Sequence, residues 1–430
     1  MKRKEKINIV TLGCSKNTVD SERLMNQIKL NDFRLTDSAE KADTVIINTC
    51  GFIESAKEES VNAILEAVKL KNEGTISKII VAGCLSQRYK EELQKEIPEA
   101  DVFFGTEDYE GILKEIGGAL RYELLGERTM SLPSHFAYLK ISEGCDNPCS
   151  FCAIPLIRGK HKSKDMDALI AEAGFLAKNG AKEIIIIGQD TTDYGKDIYG
   201  ERFAAKLLTK ISEIDDVKWI RLMYAYPSHF PEDLIQVIAD NPKILKYIDI
   251  PLQHISDYCL RSMRRGITKH RTIELLETLR TKIPNLALRT TFIVGYPSET
   301  ERDFLELCDF VKEFEFDRLG VFTYSPEDTT PSFILGDPIS EKEKKDRENH
   351  LMEIQQEISR KKNDSLIGTE LEVLVDGKEA DYHIARSYRD APEVDGEVLI
   401  AASNNKIKAG ELYRVKITSA NEYDVFAELI

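Results

Sequence analysis

No apolar run in this sequence approaches the roughly 20 residues that a membrane-spanning helix requires, so nothing in it reads as a transmembrane segment. It has one tryptophan and seven histidines among 430 residues. It also lacks a G-x-x-x-x-G-K-[ST] loop, a G-x-G-x-x-G turn and an H-E-x-x-H helix. Those absences remove the signatures of P-loop hydrolases, dinucleotide-binding domains and zinc peptidases. The N-terminus, MKRKEKINIV, is basic and then strand-like, without the apolar stretch and small-residue cleavage site of a signal peptide. A cytoplasmic protein with no membrane partner is expected. Positive charge is in short supply as well: the net charge is −15. An acidic chain repels phosphate, which disfavours general nucleic-acid binding and favours a basic protein partner.

The length suggests about three domains at roughly 150 residues each, and the strand pattern changes character twice. Residues 1–125 alternate INIVTL, TVIIN, KIIVA and DVFFG with helical stretches. That alternation predicts an open parallel α/β domain. The polar stretch LLGERTMSLPSH then reads as a linker. Residues 131–362 hold six strand–helix units, with strands AYLKI, EIIIIG, WIRLMY, YIDIPLQ, ALRTTFIVG and RLGVFTY. Six such units predict a partial (β/α)6 barrel whose site gathers at the C-terminal ends of the strands. The charged run SEKEKKDRENHLMEIQQEISRKK reads as a solvated connecting helix. Residues 363–430 contain LEVLVDG, GEVLIAA, ELYRVKIT and EYDVFAEL, a pattern that fits a small antiparallel β-barrel.

The eight cysteines carry the chemistry. In a chain expected in a reducing compartment they read as metal or redox ligands rather than disulfides. Directly after AYLKI comes Glu143-Gly144-Cys145-Asp146-Asn147-Pro148-Cys149-Ser150-Phe151-Cys152, a C-x3-C-x2-C spacing. Three thiolates on one loop can hold three irons of a 4Fe–4S cluster and leave the fourth open to a ligand. A structural zinc site is the alternative, but zinc usually takes paired C-x2-C units or Cys/His sets. Three further cysteines each follow a predicted strand of the first segment and each adjoin a glycine: Cys14 with Gly13, Cys50 with Gly51, Cys84 with Gly83. Parallel strands put those ends along one sheet edge, so three thiols distant in sequence converge there. Buried core cysteine would explain one of them, but three at equivalent strand ends point to a second cluster with an open iron. Cys259 and Cys308 have no such placement and read as structural.

The C-x3-C-x2-C loop at the first barrel strand resembles the signature of the radical S-adenosylmethionine (SAM) superfamily. The resemblance implies that the open iron docks the amino and carboxylate groups of SAM, whose reductive cleavage gives a 5′-deoxyadenosyl radical. The segment Arg289-Thr290-Thr291-Phe292-Ile293-Val294-Gly295-Tyr296-Pro297-Ser298-Glu299 is similar to the adenine-contacting strand and turn of these enzymes, with Ser298 where a glycine is usual. Gly188-Gln189-Asp190 stands where many carry Gly-Gly-Glu. Arg289, Gly295, Glu299, Gly188, Gln189 and Asp190 are therefore the expected cofactor-binding residues.

Across its whole length the chain resembles the methylthiotransferases, with an N-terminal domain of that family, a radical SAM domain and a TRAM-like tail. Gly13-Cys14-Ser15-Lys16-Asn17-Thr18-Val19-Asp20-Ser21-Glu22, Gln189-Asp190-Thr191-Thr192-Asp193-Tyr194-Gly195 and Tyr388-Arg389-Asp390-Ala391-Pro392-Glu393-Val394-Asp395-Gly396 resemble the RimO branch rather than the tRNA-modifying MiaB branch. That branch methylthiolates the β-carbon of an aspartate in ribosomal protein S twelve of the small subunit. The resemblance implies two 4Fe–4S clusters, two SAM molecules, a sulfur source and a flavodoxin- or ferredoxin-like electron donor. One SAM would methylate a sulfur held at the N-terminal cluster and the second would be cleaved. Charge supports a protein substrate over tRNA, because residues 366–430 hold 13 acidic and 7 basic side chains, 7 − 13 = −6, whereas a tRNA-binding barrel should be basic. No side chain is expected to act as a catalytic acid or base. His229, His254 and Trp219 read as packing residues, and Tyr226, Pro227, Gln253 and His254 as residues at strand ends that could line a cavity. Lys16 and Asn17 are expected to order the loop after Cys14.

Overall fold

The computed structural model describes residues 5–131, 133–402 and 407–430. The basic residues Met1–Lys4 and the linker residue Leu132 lie outside that range. The chain folds as two compact units. One is built from the residues up to Ser131 together with Tyr138–Asp146 and Ala153–Phe175, and the other from Asn147–Cys152 and Leu176–Ile430 with the short lead-in before Tyr138.

The first unit is an open sheet of β1 (Lys6–Thr11), β2 (Arg34–Leu35), β3 (Thr44–Thr49), β4 (Lys78–Gly83) and β5 (Val102–Phe103), ordered β2-β1-β3-β4-β5, with every pairing parallel. Helices α1 (Ser15–Leu30), α2 (Glu54–Asn72), α3 (Cys84–Glu96) and α4 (Tyr109–Glu115) cover it. Successive side chains of a strand face opposite sides, and the cores divide accordingly. Val45, Ile47, Ile79 and Val81 pack with Ile64, Val68 and Leu93. Ile7, Ile46 and Ile80 pack with Leu24, Ile28, Ile112 and Leu113. A sheet buried on both faces is what continuous apolar strands such as TVIIN demand. The two-residue strand β2 was not foreseen, since Arg34–Leu35 is too short to show a pattern. The part of the expected linker up to Ser131 is pinned in this unit. The amide of Thr129 donates to Glu22 O (3.1 Å), that of Ser131 donates to Glu22 Oε1 (2.8 Å), and the buried Arg128 guanidinium donates to Tyr138 O.

Strand β6 (Phe136–Lys140) leads on to a short antiparallel pair in the first unit, β7 (Ser142–Glu143) with β8 (Lys162–Ser163). The second unit holds β9 (Glu183–Ile187), β10 (Trp219–Leu222), β11 (Ile244–Asp249), β12 (Ala287–Val294) and β13 (Arg318–Thr323). The sheet order is β13-β12-β11-β10-β9-β6, each strand beside its predecessor in the series, as in an open partial barrel. Next come the helix Glu341–Asp364 and a closed barrel of β14 (Glu370–Glu379), β15 (Tyr382–Ser387), β16 (Val398–Ala401), β17 (Leu412–Ala420) and β18 (Val425–Leu429), in the order β14-β15-β16-β18-β17. Its pairs are antiparallel except β16–β18, which is parallel. An odd number of strands cannot alternate direction around a closed ring, so one parallel pair is unavoidable. Among the described residues no helix is long and apolar enough to cross a membrane.

Charge, not only apolar packing, joins the sheet strands to the C-terminal barrel. Glu183 accepts from Arg221 (2.7 Å) and Arg386 (2.7 Å). Arg221 also donates to Tyr388 O (2.8 Å), and the Tyr247 hydroxyl donates to Asp395 (2.7 Å). Arg318 pairs with Asp390 and Arg389 with Asp317 at 2.5 and 2.8 Å. The Tyr388–Gly396 stretch thus forms the floor beneath the sheet.

Candidate cofactor sites

In the first unit each strand end delivers one sulfur. Cys14 is the N-cap of α1, Cys50 directly follows β3, and Cys84 opens α3. Gly13 has φ +87°, and a Cβ there would lie 2.7 Å from Cys50 Cβ and 2.8 Å from Cys50 Sγ. Only glycine lets the loop carrying Cys14 close so tightly over Cys50. Burial pushes the Cys50 thiol up, and Cys84 up to about 11, with smaller upward contributions from the neighbouring cysteines. A metal that binds these sulfurs must displace their protons.

Beside them lies a buried polar bed, all within this unit. Asn17 donates to Leu12 O (2.8 Å) and Thr49 O (3.1 Å), which orders the loop after Cys14 as expected. Arg158, at the end of α5 (Ile154–Arg158), donates to Cys84 Sγ (3.2 Å), Asn17 Oδ1 (2.5 Å), Asp20 (2.8 Å) and Glu143 (3.1 Å). Lys140, fully buried, donates to Asp20, to Glu107 (2.7 Å) and to Glu143 (2.6 Å). Burial opposes ionisation of Asp20, yet Lys140 and Arg158 hold its carboxyl well below the ordinary range. The carboxylates Asp20, Glu107 and Glu143 converge as a hard-cation site would, but the Lys140 ammonium already fills the space between them. The thiolates remain as the available donors. Three soft sulfurs, a glycine that admits a bulky neighbour, helix N-termini at Cys14 and Cys84 and an N–H donor aimed at sulfur fit an iron–sulfur cluster.

Gly144 precedes Cys145 with φ +74°, and its missing side chain makes room for Lys160 O; the Cys145 amide donates to Gly159 O (3.2 Å). In the second unit Cys149 Sγ receives Arg265 (3.2 Å) and lies 3.5 Å from the Tyr226 hydroxyl, which itself donates to Arg265 O (2.8 Å). The Ser150 hydroxyl donates to Ser262 O (2.9 Å), and the Cys152 amide donates to Cys149 O (3.3 Å). Here too a cysteine sulfur meets a buried guanidinium.

The remaining expected residues are placed less directly. Gly188, Gln189 and Asp190 follow β9, but both carboxylate oxygens of Asp190 are engaged. One accepts from Thr192 N (2.9 Å) and Oγ1 (2.6 Å), and the other from Asn147 (2.7 Å), so Asp190 anchors the loop of Cys149. Arg289 lies early in β12 and pairs with Asp249 (2.8 Å) and Asp395 (3.4 Å), facing the floor. Gly295 has φ +72°, and the space of its missing side chain is filled by Lys344 rather than left open. Glu299 accepts from Gly295 N (3.1 Å), pairs with Arg347 and lies 3.3 Å from His254 Nε2. Gly295 and Glu299 hold each other and the turn after β12. Lys344 and Arg347 belong to the helix expected to be solvated, and both are buried. Cys259 and Cys308 are buried with thiols pushed up to about 12 and about 11, in keeping with structural roles. Trp219 donates to Glu372 (3.2 Å).

Sequence reasoning missed Arg158, Lys140 and Asp20 beside the first triplet and Arg265 beside the second. The available signal was a lone cation closing the apolar run AIPLIR immediately after Cys152.

A parallel α/β sheet with a cysteine at three strand ends, a C-x3-C-x2-C loop after β6, an open partial barrel and a small closed barrel together match the plan of a radical SAM methylthiotransferase. Residues 139–311 match the Radical SAM superfamily, 367–430 the TRAM domain, and 6–105 a family described as Uncharacterized protein family UPF0004. The chain is 49% identical over 430 residues to the ribosomal protein uS12 methylthiotransferase RimO of Cytophaga hutchinsonii, covering 100% of this chain and 98% of that protein. It is 48% identical to the same enzyme of Phocaeicola vulgatus, with 100% of each covered. The chain belongs to the RimO family of radical SAM methylthiotransferases, enzymes that use SAM and 4Fe–4S clusters. In fold it is similar to the radical SAM methyltransferase TsrM of Kitasatospora setae, with TM-score 0.57, 13% identity, and 77% of this chain and 75% of that one covered.

Proposed function

We propose that the protein methylthiolates the β-carbon of an aspartate in ribosomal protein uS12, in the cytoplasm. It would consume two SAM molecules, a sulfur source and electrons from a flavodoxin- or ferredoxin-like donor. The observation that carries this reading is the full-length match to the uS12 enzymes combined with a cysteine at each of three strand ends of one sheet. Cys14, Cys50 and Cys84 would hold one 4Fe–4S cluster and Cys145, Cys149 and Cys152 the other. When bound, the clusters and SAM supply the electron, the 5′-deoxyadenosyl radical and the methylthio group.

The chain's own residues bind and orient. Arg265 and Tyr226 hold Cys149, Asp190 ties the loop through Asn147, and Ser150 fixes it to Ser262. Gly188 and Gln189, after β9, would bind SAM, Gly295 and Glu299 would hold the turn after β12 in shape for it, and Arg289 braces β12 against the floor through Asp249 and Asp395. No side chain serves as the base that takes the substrate hydrogen, because a β-C–H beside a carboxylate is not acidic enough for any tuned side-chain pKa. A tRNA substrate is the second reading, and the acidity of the C-terminal barrel speaks against it.

The test is reconstituted enzyme offered uS12 and tRNA side by side, with uS12 deuterated at the aspartate β-carbon. Methylthiolation of uS12 with deuterium appearing in 5′-deoxyadenosine is expected. Methylthiolated tRNA and unmodified uS12 would overturn the proposal. Replacing either cysteine triplet by alanine should remove about half the iron, and full retention would refute that triplet's assignment.

A further inference from the structure

Arg158 has more bonds than a structural ion pair needs. Its two terminal nitrogens each serve two acceptors. Nη1 binds Asp20 (2.8 Å) and Glu143 (3.1 Å); Nη2 binds Asn17 Oδ1 (2.5 Å) and Cys84 Sγ (3.2 Å). The side chain is only 2% exposed. Asn17 cannot turn away, because its own amide nitrogen is spent on Leu12 O and Thr49 O. Its oxygen therefore faces Arg158, and Cys84 Sγ lies 3.7 Å from it. Asp20 is held in turn by Lys140 and accepts from the Tyr109 hydroxyl (3.2 Å). The guanidinium is a rigid fork, and these partners leave it one orientation, with an N–H directed at the sulfur of Cys84.

We propose that Arg158 is a positioning residue for the N-terminal cluster, fixing the Cys84 ligand and raising the cluster's reduction potential through a charge-assisted N–H···S bond. This rests on the reading that Cys14, Cys50 and Cys84 hold a cluster. Reduction adds negative charge to the cluster and its thiolates. A buried positive charge and a hydrogen bond to a ligand sulfur stabilise that reduced form, and such bonds are among the levers that set cluster potentials. Asp20 and Glu143 neutralise much of the arginine's distant field but do not remove the directed N–H, which acts at contact range. Lysine would keep the charge but could not hold Asp20, Asn17 and sulfur in one plane.

The experiment uses full-length, anaerobically reconstituted protein in which Cys145, Cys149 and Cys152 are replaced by alanine, so that only the N-terminal cluster is read. Iron content and the midpoint potential by EPR-monitored titration are measured with Arg158, with Arg158→Gln and with Arg158→Lys. The expected result is unchanged iron and a midpoint shifted negative in R158Q. At the parent's midpoint the oxidised-to-reduced ratio should rise about tenfold, equivalent to about 59 mV for one electron. R158K should fall between. An R158Q variant that holds its iron at the parent's midpoint overturns the proposal. If R158Q loses its iron, R158K decides: iron retained with a lowered midpoint supports the proposal, and iron retained at the parent's midpoint overturns it. Absence of iron from the parent itself would refute the ligand assignment instead.

Discussion

Lys140→Met tests whether the buried bed under the first cysteine triplet is held by charge. The Lys140 ammonium, with no exposed side-chain surface, lies between Asp20, Glu107 and Glu143. Burial opposes its charge, but those three carboxylates outweigh burial and hold it ionised. Methionine keeps the approximate length and removes the charge. Taking one partner from a buried ion pair typically costs about 3–5 kcal/mol, because the remaining charge is stranded. Glu107 is 32% exposed, so water screens its share, and Arg158 still faces Asp20 and Glu143. The lower end, about 3 kcal/mol, is therefore expected, a large part of the roughly 5–15 kcal/mol that holds a typical protein folded. A chain of two units has no single unfolding free energy, so amide hydrogen exchange in β1, β3 and α1 is the proper readout. At 1.4 kcal/mol per tenfold, protection there should fall by about a hundredfold. The pH dependence follows from the direction of the shifts. Asp20 and Glu143 are held below their ordinary pKa in the native protein. Their contribution is present above the unfolded value and is lost only as pH falls through the folded one, so these two groups add no pH dependence to the parent from pH 8 to 5.5. Without Lys140, burial dominates and raises at least one of these carboxyls. A raised group loses its contribution as pH rises through its folded pKa, so the gap between variant and parent should widen toward pH 8. A loss of protection under tenfold, or an equal gap at pH 5.5 and 8, would refute the reasoning.

Glu183→Gln strands the Arg221 guanidinium and takes from Arg386 one of its two carboxylate partners, Asp376 being the other. It should cost about 3–5 kcal/mol and lower the denaturant midpoint read by the fluorescence of Trp219, the chain's one tryptophan, which touches Glu372 of the C-terminal barrel. An unchanged midpoint would mean the floor is held by packing alone. Gly295→Ala meets a left-handed φ of +72° and the side chain of Lys344, so it should cost about 1–3 kcal/mol, read as faster amide hydrogen exchange in β12. Adding Lys344→Ala should not restore it fully, because the backbone strain remains.

The strand–helix alternation of both α/β segments and the placing of Cys14, Cys50 and Cys84 at strand ends were legible because they rest on local signals. Apolar runs of four to eight residues recur between helical stretches, and cysteine next to glycine at each strand end repeats three times in one segment. The charged partners were not legible. Arg158, Lys140 and Asp20 are ordinary charged residues in sequence, and their convergence depends on pairing across 138 residues of chain, the separation of Asp20 and Arg158. The helix Glu341–Asp364 was misread for a related reason. Its charge density resembles a solvated face, yet Lys344 and Arg347 are buried because Asp337, Glu341 and Glu299 supply their counter-charges. Arg289 sits within a motif that resembles a ligand-contacting strand, but the alternation of side chains along β12 and the partner Asp395, 106 positions later in the sequence, turn it to the floor.

That floor bears on how the acidity of the C-terminal segment should be counted. Of its 13 acids, Asp376, Asp390 and Asp395 pair internally with Arg386, Arg318 and Arg289, and two of its 7 bases, Arg386 and Arg389, answer Glu183 and Asp317. Removing these groups leaves 13 − 3 = 10 acids against 7 − 2 = 5 bases, a difference of −5 in place of −6. The surplus survives removal of these pairs, and taking out the more exposed pairs Arg414–Glu370, Lys182–Glu411 and Arg360–Glu422 as well leaves 10 − 3 = 7 acids against 5 − 1 = 4 bases. It includes Glu379, Asp381, Glu393, Glu397 and Glu428, all exposed. Those side chains lie on β14, β18 and the turns between strands, where they can draw in a basic protein and repel the phosphates of an RNA. In the Tyr388–Gly396 stretch, Asp390 is buried against Arg318 and is not part of that exposed surplus. Discrimination between uS12 and tRNA should accordingly respond to charge reversal at Glu379 and Asp381 and remain insensitive to conservative changes at Asp390.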